Sequence, residues 1–169
     1  MNEWIALGLG LILTVGTGFF VASEFSLINL ERAELESRRD RGERGLANSI
    51  RALRRTSTHL SSAQLGITLT TILTGFLAEP ALSAMLAPTL SALGLSPTFI
   101  SAFAVVISMT IVTLISFLIG ELVPKQMALA VPLQTNRVVV GFQLAFTWTF
   151  GWTFATYALT AGAVTQWLE

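Results

Sequence analysis

The stretch IALGLGLILTVGTGFFVAS, residues 5–23, contains no charged side chain, and with Glu24 tolerated the apolar run continues to Leu30. A helix needs about 20 apolar residues to cross a bilayer, so this stretch predicts a membrane-spanning helix. A secretory signal peptide is the competing interpretation, because residues 21–23 (Val-Ala-Ser) resemble a cleavage site. The acidic start at residues 1–3 argues against it, since signal peptides begin with Lys or Arg.

The composition of the whole chain also indicates a membrane protein. Of the 169 residues, 53% are hydrophobic and only 12% are charged, whereas globular proteins carry about a quarter charged residues. The net charge is zero, so no overall field favours nucleic acid or an acidic partner. The sequence has no cysteine and one histidine, His59. Disulfides, thiolate chemistry and a metal site of several histidines within one chain are therefore excluded.

Most charges lie in residues 31–55, which hold eight of the ten Lys and Arg side chains. Opposite charges four residues apart share a helix face, and the segment has two such pairs, Glu34 with Arg38 and Asp40 with Arg44. Gly42 and Gly45 predict a break between two short helices. We interpret these helices as facing solvent and the lipid headgroups, in preference to binding nucleic acid.

Two further spans are predicted, over about residues 60–80 and 99–121. The first of them closes at Glu79-Pro80, and residues 87–97 are predicted to form a short re-entry loop on the far side. Cytoplasmic loops are enriched in Lys and Arg. The Arg-rich segment therefore predicts that the N-terminus lies outside and that Lys125, after the third span, emerges inside.

The last charge-free segment, residues 138–164, is long enough to span but is interrupted by polar and aromatic side chains. These are Gln143, Thr147, Trp148, Thr149, Trp152, Thr153, Thr156, Tyr157 and Thr160. Two interpretations stand, a fourth span or a helix lying along the bilayer edge. Periodicity does not decide between them.

Three carboxylates fall within or at the ends of the predicted spans: Glu24, Glu79 and Glu121. A charge at the centre of a span costs roughly 2.5–3.5 kcal/mol on insertion scales, so such residues are functional candidates. Glu79 lies near the outer end, where we interpret it as a water-exposed helix terminus. Glu24 and Glu121 lie toward the inner halves of their helices, where similar depths are expected.

Hydroxyl and amide side chains accompany these carboxylates. Ser23 and Ser26 share a helix face one turn apart, and Asn29 continues around it. The second span is polar for a membrane helix, with Gln64, Thr68, Thr70 and Thr71 among its residues. Gly66 within it leaves room for another helix or an ion to approach the backbone. The simpler alternative is that the hydroxyls bond carbonyls of their own helix.

The segment Gly120-Glu-Leu-Val-Pro124 gives the sharpest local argument. Proline lacks an N–H and disrupts the hydrogen bond to the carbonyl four residues earlier, which belongs to Gly120. A free carbonyl at membrane depth needs a partner, and a cation beside Glu121 is one. Ser116, one turn earlier, faces the same way. A plain proline kink, with a water or hydroxyl satisfying Gly120, is the alternative.

All of these groups are hard oxygens, which suit Mg²⁺, Ca²⁺ or alkali ions rather than zinc or copper. Composition alone does not separate Mg²⁺ from Na⁺. An enzyme is not expected, because the sequence shows neither a nucleophile–base pair nor a Gly-rich phosphate loop.

Three motifs carry a family resemblance: FVASEFSL at 20–27, QLGITLT at 64–70 and GELVPK at 120–125. Together they resemble the transmembrane domain of the CNNM/CorC family of Mg²⁺ transporters. The resemblance implies one all-α transmembrane domain over residues 1–169, in the plasma or inner membrane. Its parts would be spans at about 4–30, 60–80 and 99–121, cytoplasmic helices at 31–55 and a belt-like juxtamembrane helix at 133–167.

The resemblance also implies a homodimer in contact with membrane lipids, a cytoplasmic C-terminus, and Mg²⁺ export proposed to be driven by Na⁺ entry. The implied Mg²⁺ ligands are the side chains of Ser23, Ser26 and Glu121 and the carbonyls of Gly66 and Gly120. A surrounding or gating role would fall to Glu24, Asn29, Gln64, Thr70, Ser116 and Pro124.

Family members continue into cytoplasmic CBS domains, whereas this sequence stops at Glu169. We therefore expect a shortened form of a longer protein and no response to nucleotide. Two rival functions stand beside transport: a regulatory protein that senses Mg²⁺ without moving it, and an uncoupled channel.

Overall fold

The computed structural model describes residues 2–92, 94 and 96–168, with side chains described as far as residue 150. The regular elements among these residues are all helical. In chain order they are α1 Glu3–Ile28, α2 Arg32–Asp40, α3 Ala47–Leu53, α4 Thr56–Ser91, α5 Pro97–Ile115, a π-helix Ser116–Leu122, α6 Val123–Ala130 and α7 Pro132–Leu168.

Three helical segments are long and apolar enough to cross a membrane: Glu3–Ile28, Thr56–Ser91 and Pro97–Ala130. The predicted all-α, multi-pass membrane protein is therefore confirmed. The side chains of Trp152, Thr153, Thr156, Tyr157 and Thr160 lie outside the described part of the chain. The question whether residues 138–164 span the bilayer or lie along its edge stays open.

The predicted end of the second membrane helix is wrong. Helix α4 does not stop at Glu79-Pro80 but continues to Ser91, with Pro80 and Pro88 inside it. Each proline removes one backbone hydrogen bond, and helices in membranes tolerate this where neighbouring groups satisfy the freed carbonyl. The predicted loop at 87–97 is consequently confined to the residues between Ser91 and Pro97, where Gly94 has a positive φ of 69°.

The chain divides into two compact units. Unit one consists of Met1–Phe19 and Gly66–Lys125, and unit two of Phe20–Leu65 and Gln126–Glu169. Unit one thus holds the first part of α1, most of α4, α5 and the π-helix. Unit two holds the end of α1, the short helices α2 and α3, the start of α4 and all of α7.

Unit one is packed through residues with little or no side chain. A Cβ built on Gly10 of α1 would lie only 2.8 Å from the Cβ of Ala78 on α4. Thr14 is buried beside this point, and its hydroxyl donates to the carbonyl of Gly10 at 2.9 Å. Small residues at such crossings let membrane helices approach closely, so packing rather than large side chains joins these two helices.

Unit two has a conventional apolar core. One buried cluster joins Leu27 of α1, Ala52 of α3 and Val140 of α7. A second cluster joins Leu35 of α2 with Leu46, which directly precedes α3, and Ile50 within α3. Burial of these side chains fixes the short helices α2 and α3 against the longer ones.

The charged segment of unit two follows the prediction in part. Gly42 and Gly45 separate α2 from α3, and both have positive φ values, 94° and 81°, which favour glycine. The predicted pair Arg38–Glu34 is present at 2.5 Å. The predicted pair of Asp40 with Arg44 is wrong: α2 ends at Asp40, and that carboxylate instead pairs with its neighbour Arg39 at 2.9 Å.

Candidate metal centre

The distortion predicted before Pro124 is present, and it takes the form of a π-helix. The N–H of Val123 donates to the carbonyl of Leu118, five residues earlier. Continuing that pattern, the missing N–H of Pro124 deprives Ile119 of its donor, whereas α-helical bonding would deprive Gly120. The sequence argument assumed α-helical bonding and therefore identified Gly120 alone. Short π-helical segments occur frequently at functional sites.

Two carbonyls of the π-helix, those of Ile119 and Gly120, lie close to α1 at Gly18. A Cβ built on Gly18 would lie 3.4 Å from the carbonyl oxygen of Ile119 and 3.8 Å from that of Gly120. It would also lie 3.0 Å from Cγ of Pro124. Gly18 was not among the predicted site residues. The signal that could have found it is its position one turn before Ala22, within the same glycine-rich stretch of α1.

Gly120 itself is buried against the next turn of α1. A Cβ there would lie 3.2 Å from the carbonyl oxygen of Thr14 and 3.5 Å from Cβ of Thr17. A backbone oxygen cannot swing aside as a flexible side chain can. A side chain at position 120 would therefore force the π-helix and α1 apart by a few tenths of an ångström.

A chain of hydroxyls continues from this point toward α4. Thr17 and Thr70 share a hydrogen bond at 2.7 Å between their hydroxyls. Thr70 in turn donates to the carbonyl of Gly66 at 2.8 Å. Gly66 lies within α4, so its carbonyl also accepts the N–H of its own helix, and a cation there would compete with the Thr70 hydroxyl for the second lone pair.

Ser116 lies on the same side, with its hydroxyl 3.4 Å from that of Thr14. Unit one therefore brings three of the predicted site residues to residues 14–17 of α1, namely Thr70, Ser116 and Gly120. Gly66 is joined to this group only through Thr70.

Glu121 follows directly after this group and is exposed. Within the part of the chain whose side chains are described, its carboxylate has no ion pair and no hydrogen bond. An unpaired carboxylate thus stands close in the chain to the Ile119 carbonyl, which Pro124 leaves without an N–H donor. That combination attracts a cation.

In unit two, the predicted serines differ from each other. Ser23 is completely buried, and its hydroxyl oxygen has no hydrogen-bond partner among the described residues. Ser26 is equally buried, but its hydroxyl donates to the carbonyl of Ser23 at 3.1 Å and accepts from the amide nitrogen of Asn136 at 3.1 Å. Bonding to the same helix, the simpler alternative, therefore describes Ser26 and not Ser23.

Asn136 is a candidate site residue that sequence reasoning missed. It is fully buried, and its side-chain carbonyl oxygen has no described partner. Buried polar atoms without partners are rare and costly, so each calls for a water or an ion. The signal in the sequence was weak: Asn136 stands in the polar run QTNR, residues 134–137, just before a charge-free segment.

The remaining predicted residues of unit two are engaged within the protein. Gln64 donates to the carboxylate of Glu24 at 3.3 Å. Asn29 is exposed and donates to the carbonyl of Phe25, four residues earlier on its own helix, at 2.7 Å. The Glu24 carboxylate thus accepts a hydrogen bond from a side chain of another helix, whereas Asn29 bonds only the backbone of its own helix.

The donors of both units are hydroxyls, carbonyls, an amide and a single free carboxylate. Among the described residues, no group of three His, Asp or Glu side chains could hold a metal ion. These oxygens are of the type that hard cations such as Mg²⁺, Ca²⁺ or Na⁺ prefer, and zinc and copper do not.

Comparison with known proteins places this chain in a family. A family model described as the cyclin M (CNNM) transmembrane N-terminal domain matches residues 8–168. The chain is 44% identical over 136 residues to the UPF0053 protein MT1890 of Mycobacterium tuberculosis, covering 80% of this chain and 30% of that protein.

Two further relatives are more distant. The UPF0053 protein YhdT of Bacillus subtilis is 32% identical, covering 77% of this chain and 28% of that protein. The UPF0053 protein sll0260 of Synechocystis is 31% identical, covering 72% and 27%. The chain thus spans less than a third of the length of these three curated relatives. It belongs to the family of cyclin M transmembrane N-terminal domains.

Proposed function

We propose that this chain is the membrane-embedded part of a Mg²⁺ exporter driven by Na⁺ entry. Membership of the cyclin M family supports a membrane role related to divalent cation transport. The observation that carries the proposal is the π-helix of unit one. The carbonyl of Ile119, which Pro124 leaves without its N–H donor, and that of Gly120 both approach α1 at Gly18, and Glu121, next in the chain, has no partner among the described residues.

The ion ligands are assigned within each unit. In unit one, the carbonyls of Gly66 and Gly120 and the carboxylate of Glu121 serve the ion. In unit two, Ser23 and Ser26 do so, and we add Asn136 because its buried oxygen lacks a described partner. Mg²⁺ requires near-octahedral oxygens at about 2.0–2.1 Å and gives up its waters reluctantly. Rigid, buried hydroxyls and carbonyls suit such an ion when it is cargo that must also be released.

The proposed setting follows the positive-inside rule. The Arg-rich residues 31–55 lie on the cytoplasmic side, which puts the N-terminus outside the plasma or inner membrane and the C-terminus inside. We propose a homodimer as the transporting species. A protein that senses Mg²⁺ without moving it is the rival that the experiment must distinguish.

The test is Mg²⁺ flux in liposomes containing the purified chain, with and without a Na⁺ gradient. Glu121→Gln should lower the flux by roughly tenfold or more, because losing one charged ligand costs more than about 1.4 kcal/mol. Glu79→Gln is the matched control, since it removes a carboxylate from another membrane helix. Its flux should stay close to that of the unmodified chain.

Each part of the proposal has its own contrary result. Full flux by Glu121→Gln would remove this carboxylate from the ion path. Mg²⁺ binding by calorimetry without any flux would favour the sensor. Flux that does not respond to the Na⁺ gradient would overturn the coupling while leaving transport intact.

A further inference from the structure

A cavity lined by basic side chains lies within unit two, apart from the oxygens assigned to the ion. It has a volume of about 730 Å³ and lies between α3, the start of α4 and α7. Three arginines line it, Arg51, Arg54 and Arg55, together with Thr147 and Trp148. The volume falls in the range of small-molecule sites, about 300–1,000 Å³.

Little negative charge lies near the arginines of this cavity. Among the residues with described side chains, no carboxylate pairs with Arg51 or Arg55. Arg54 lies 4.0 Å from Glu36, but that carboxylate is already paired with Arg32 at 2.9 Å. Among the described residues that line the cavity there is no Asp or Glu. Its interior is therefore positive and suited to an anion.

Two further lining residues, His59 and Thr147, belong to a buried hydrogen-bonded network. The hydroxyl of Thr147 lies 2.9 Å from the ring nitrogen Nδ1 of His59 and donates to Ser62 at 2.8 Å. Gln143 donates to Thr147 at 3.2 Å and to the backbone carbonyl of His59 at 3.0 Å. Because these side chains are buried and fix one another, the arginines surround a preformed surface rather than a mobile one.

Trp148 stands beside the arginines and is 86% exposed, although it is the largest apolar side chain of this part of α7. Tryptophan is enriched where a membrane meets water, at the level of the lipid headgroups. An exposed Trp next to unpaired arginines therefore presents two surfaces at once, a positive one for a phosphate and an apolar one for a glycerol backbone and the first carbons of acyl chains.

We propose that this cavity binds the headgroup of an anionic phospholipid. Two guanidinium groups, from Arg51 and Arg55, hold the phosphate by paired N–H donors, a geometry in which arginine exceeds lysine. Trp148 packs against the glycerol side. A lipid, rather than free phosphate, is the ligand because a soluble anion would make no use of Trp148. Basic groups next to membrane helices are attracted to anionic lipids in this way.

The test uses the whole chain in detergent micelles and native mass spectrometry of bound lipid. Phosphatidylglycerol is titrated against phosphatidylcholine with the same acyl chains, and glycerol 3-phosphate serves as the soluble probe. Arg51→Gln combined with Arg55→Gln should weaken phosphatidylglycerol binding about tenfold or more and leave phosphatidylcholine unchanged. Trp148→Ala should weaken phosphatidylglycerol binding as well.

The matched control removes the same charge from α2. Arg38→Gln combined with Arg39→Gln takes away two arginines that are already paired with Glu34 and Asp40, so binding should fall by less than about threefold. Equal losses in both double variants would overturn the site in favour of diffuse attraction, and an unaffected Arg51/Arg55 variant would overturn it outright. Displacement of phosphatidylglycerol by glycerol 3-phosphate at equal concentration would show a soluble-anion site instead. Circular dichroism confirms that each variant is folded.

Discussion

Unit one and unit two hold their helices together by different means. In unit one, backbones meet where side chains are missing, as at Gly10 against Ala78 and at Gly120 against Thr14. In unit two, buried amides bridge helices that are distant in sequence, as Asn136 does to Ser26 and Gln143 does to Ser62. The first arrangement depends on the absence of atoms and the second on the presence of particular polar atoms.

This difference indicates how each unit responds to change. Unit one should be sensitive to any added carbon atom at its close approaches and tolerant of lost polarity elsewhere. Unit two should be sensitive to the loss of a hydrogen-bonding group even when volume is preserved. The following substitutions test the contrast from the largest expected effect to the smallest.

Gly10→Ala should give the largest loss of stability, about 1–3 kcal/mol in the free energy of unfolding. Its new Cβ would lie 2.8 Å from Cβ of Ala78, and neither atom belongs to a flexible side chain. Chemical denaturation in detergent, followed by circular dichroism, measures this loss.

Gly8→Ala is the control on the same helix, because nothing lies within 4 Å of a Cβ built there. It should be neutral or stabilising by up to about 1 kcal/mol, the helix-propensity gain of Ala over Gly. Adding Ala78→Gly to Gly10→Ala should restore part of the lost stability. Equal effects of Gly8→Ala and Gly10→Ala would refute close packing in unit one.

Gln143→Leu should destabilise unit two by about 2 kcal/mol at nearly constant volume. The amide nitrogen donates to His59, Ser62 and Thr147, at 3.0, 3.2 and 3.2 Å. Single hydrogen bonds between membrane helices average about 0.6 kcal/mol, and three acceptors lose a buried donor. Thermal unfolding in detergent gives the measurement.

Gln134→Leu makes the same chemical change at an exposed position of the same helix, where the effect should stay within about 0.5 kcal/mol. If Gln143→Leu were as harmless as Gln134→Leu, the buried amide would add nothing to the apolar core in joining the helices of unit two.

Ser23→Ala and Ser26→Ala should show the smallest effects on folding and the clearest difference in ion response. Ser23 has no described partner, so its removal should change the free energy of unfolding by less than about 0.5 kcal/mol. Ser26→Ala loses two hydrogen bonds and should cost about 1 kcal/mol. Unfolding is measured with and without Mg²⁺.

Because a ligand stabilises only the state that binds it, Mg²⁺ should raise the melting temperature of the unmodified chain and raise that of Ser23→Ala less. An undiminished Mg²⁺ effect in Ser23→Ala would remove this hydroxyl from the set of ion ligands. Comparing the two variants distinguishes a hydroxyl that binds the ion, expected for Ser23, from one that stabilises the fold, expected for Ser26.

Local sequence features predicted much of the fold. Apolar runs without charge identified the three membrane-spanning helices, and Gly42 and Gly45 identified the break between α2 and α3. Proline position was less informative. Pro124 marked a true distortion, whereas Pro80 and Pro88 lie inside α4 and do not end it. The same residue type has different outcomes because neighbouring groups decide whether a freed carbonyl is satisfied.

The candidate site was predictable only where it depends on adjacent residues. Glu121, Gly120 and Pro124 stand together in the chain, so their chemistry could be argued directly. Asn136 bonds Ser26 across 110 positions of sequence, and a single sequence carries no record of such pairing. The importance of Gly18 likewise depends on the carbonyls of Ile119 and Gly120, which come close to it only in the folded chain.

The sequence by itself determined that this is an all-α membrane protein with hard-oxygen donors, because burial in lipid and ligand type depend on composition along short runs. The tertiary structure decided the rest. It converted a proline kink into a π-helix, which brought the carbonyl of Ile119 to α1 beside that of Gly120. It also left the oxygens of Ser23 and Asn136 buried without a described partner. Hydrogen bonding and close packing are properties of helices that meet, and only the folded chain specifies which atoms face each other.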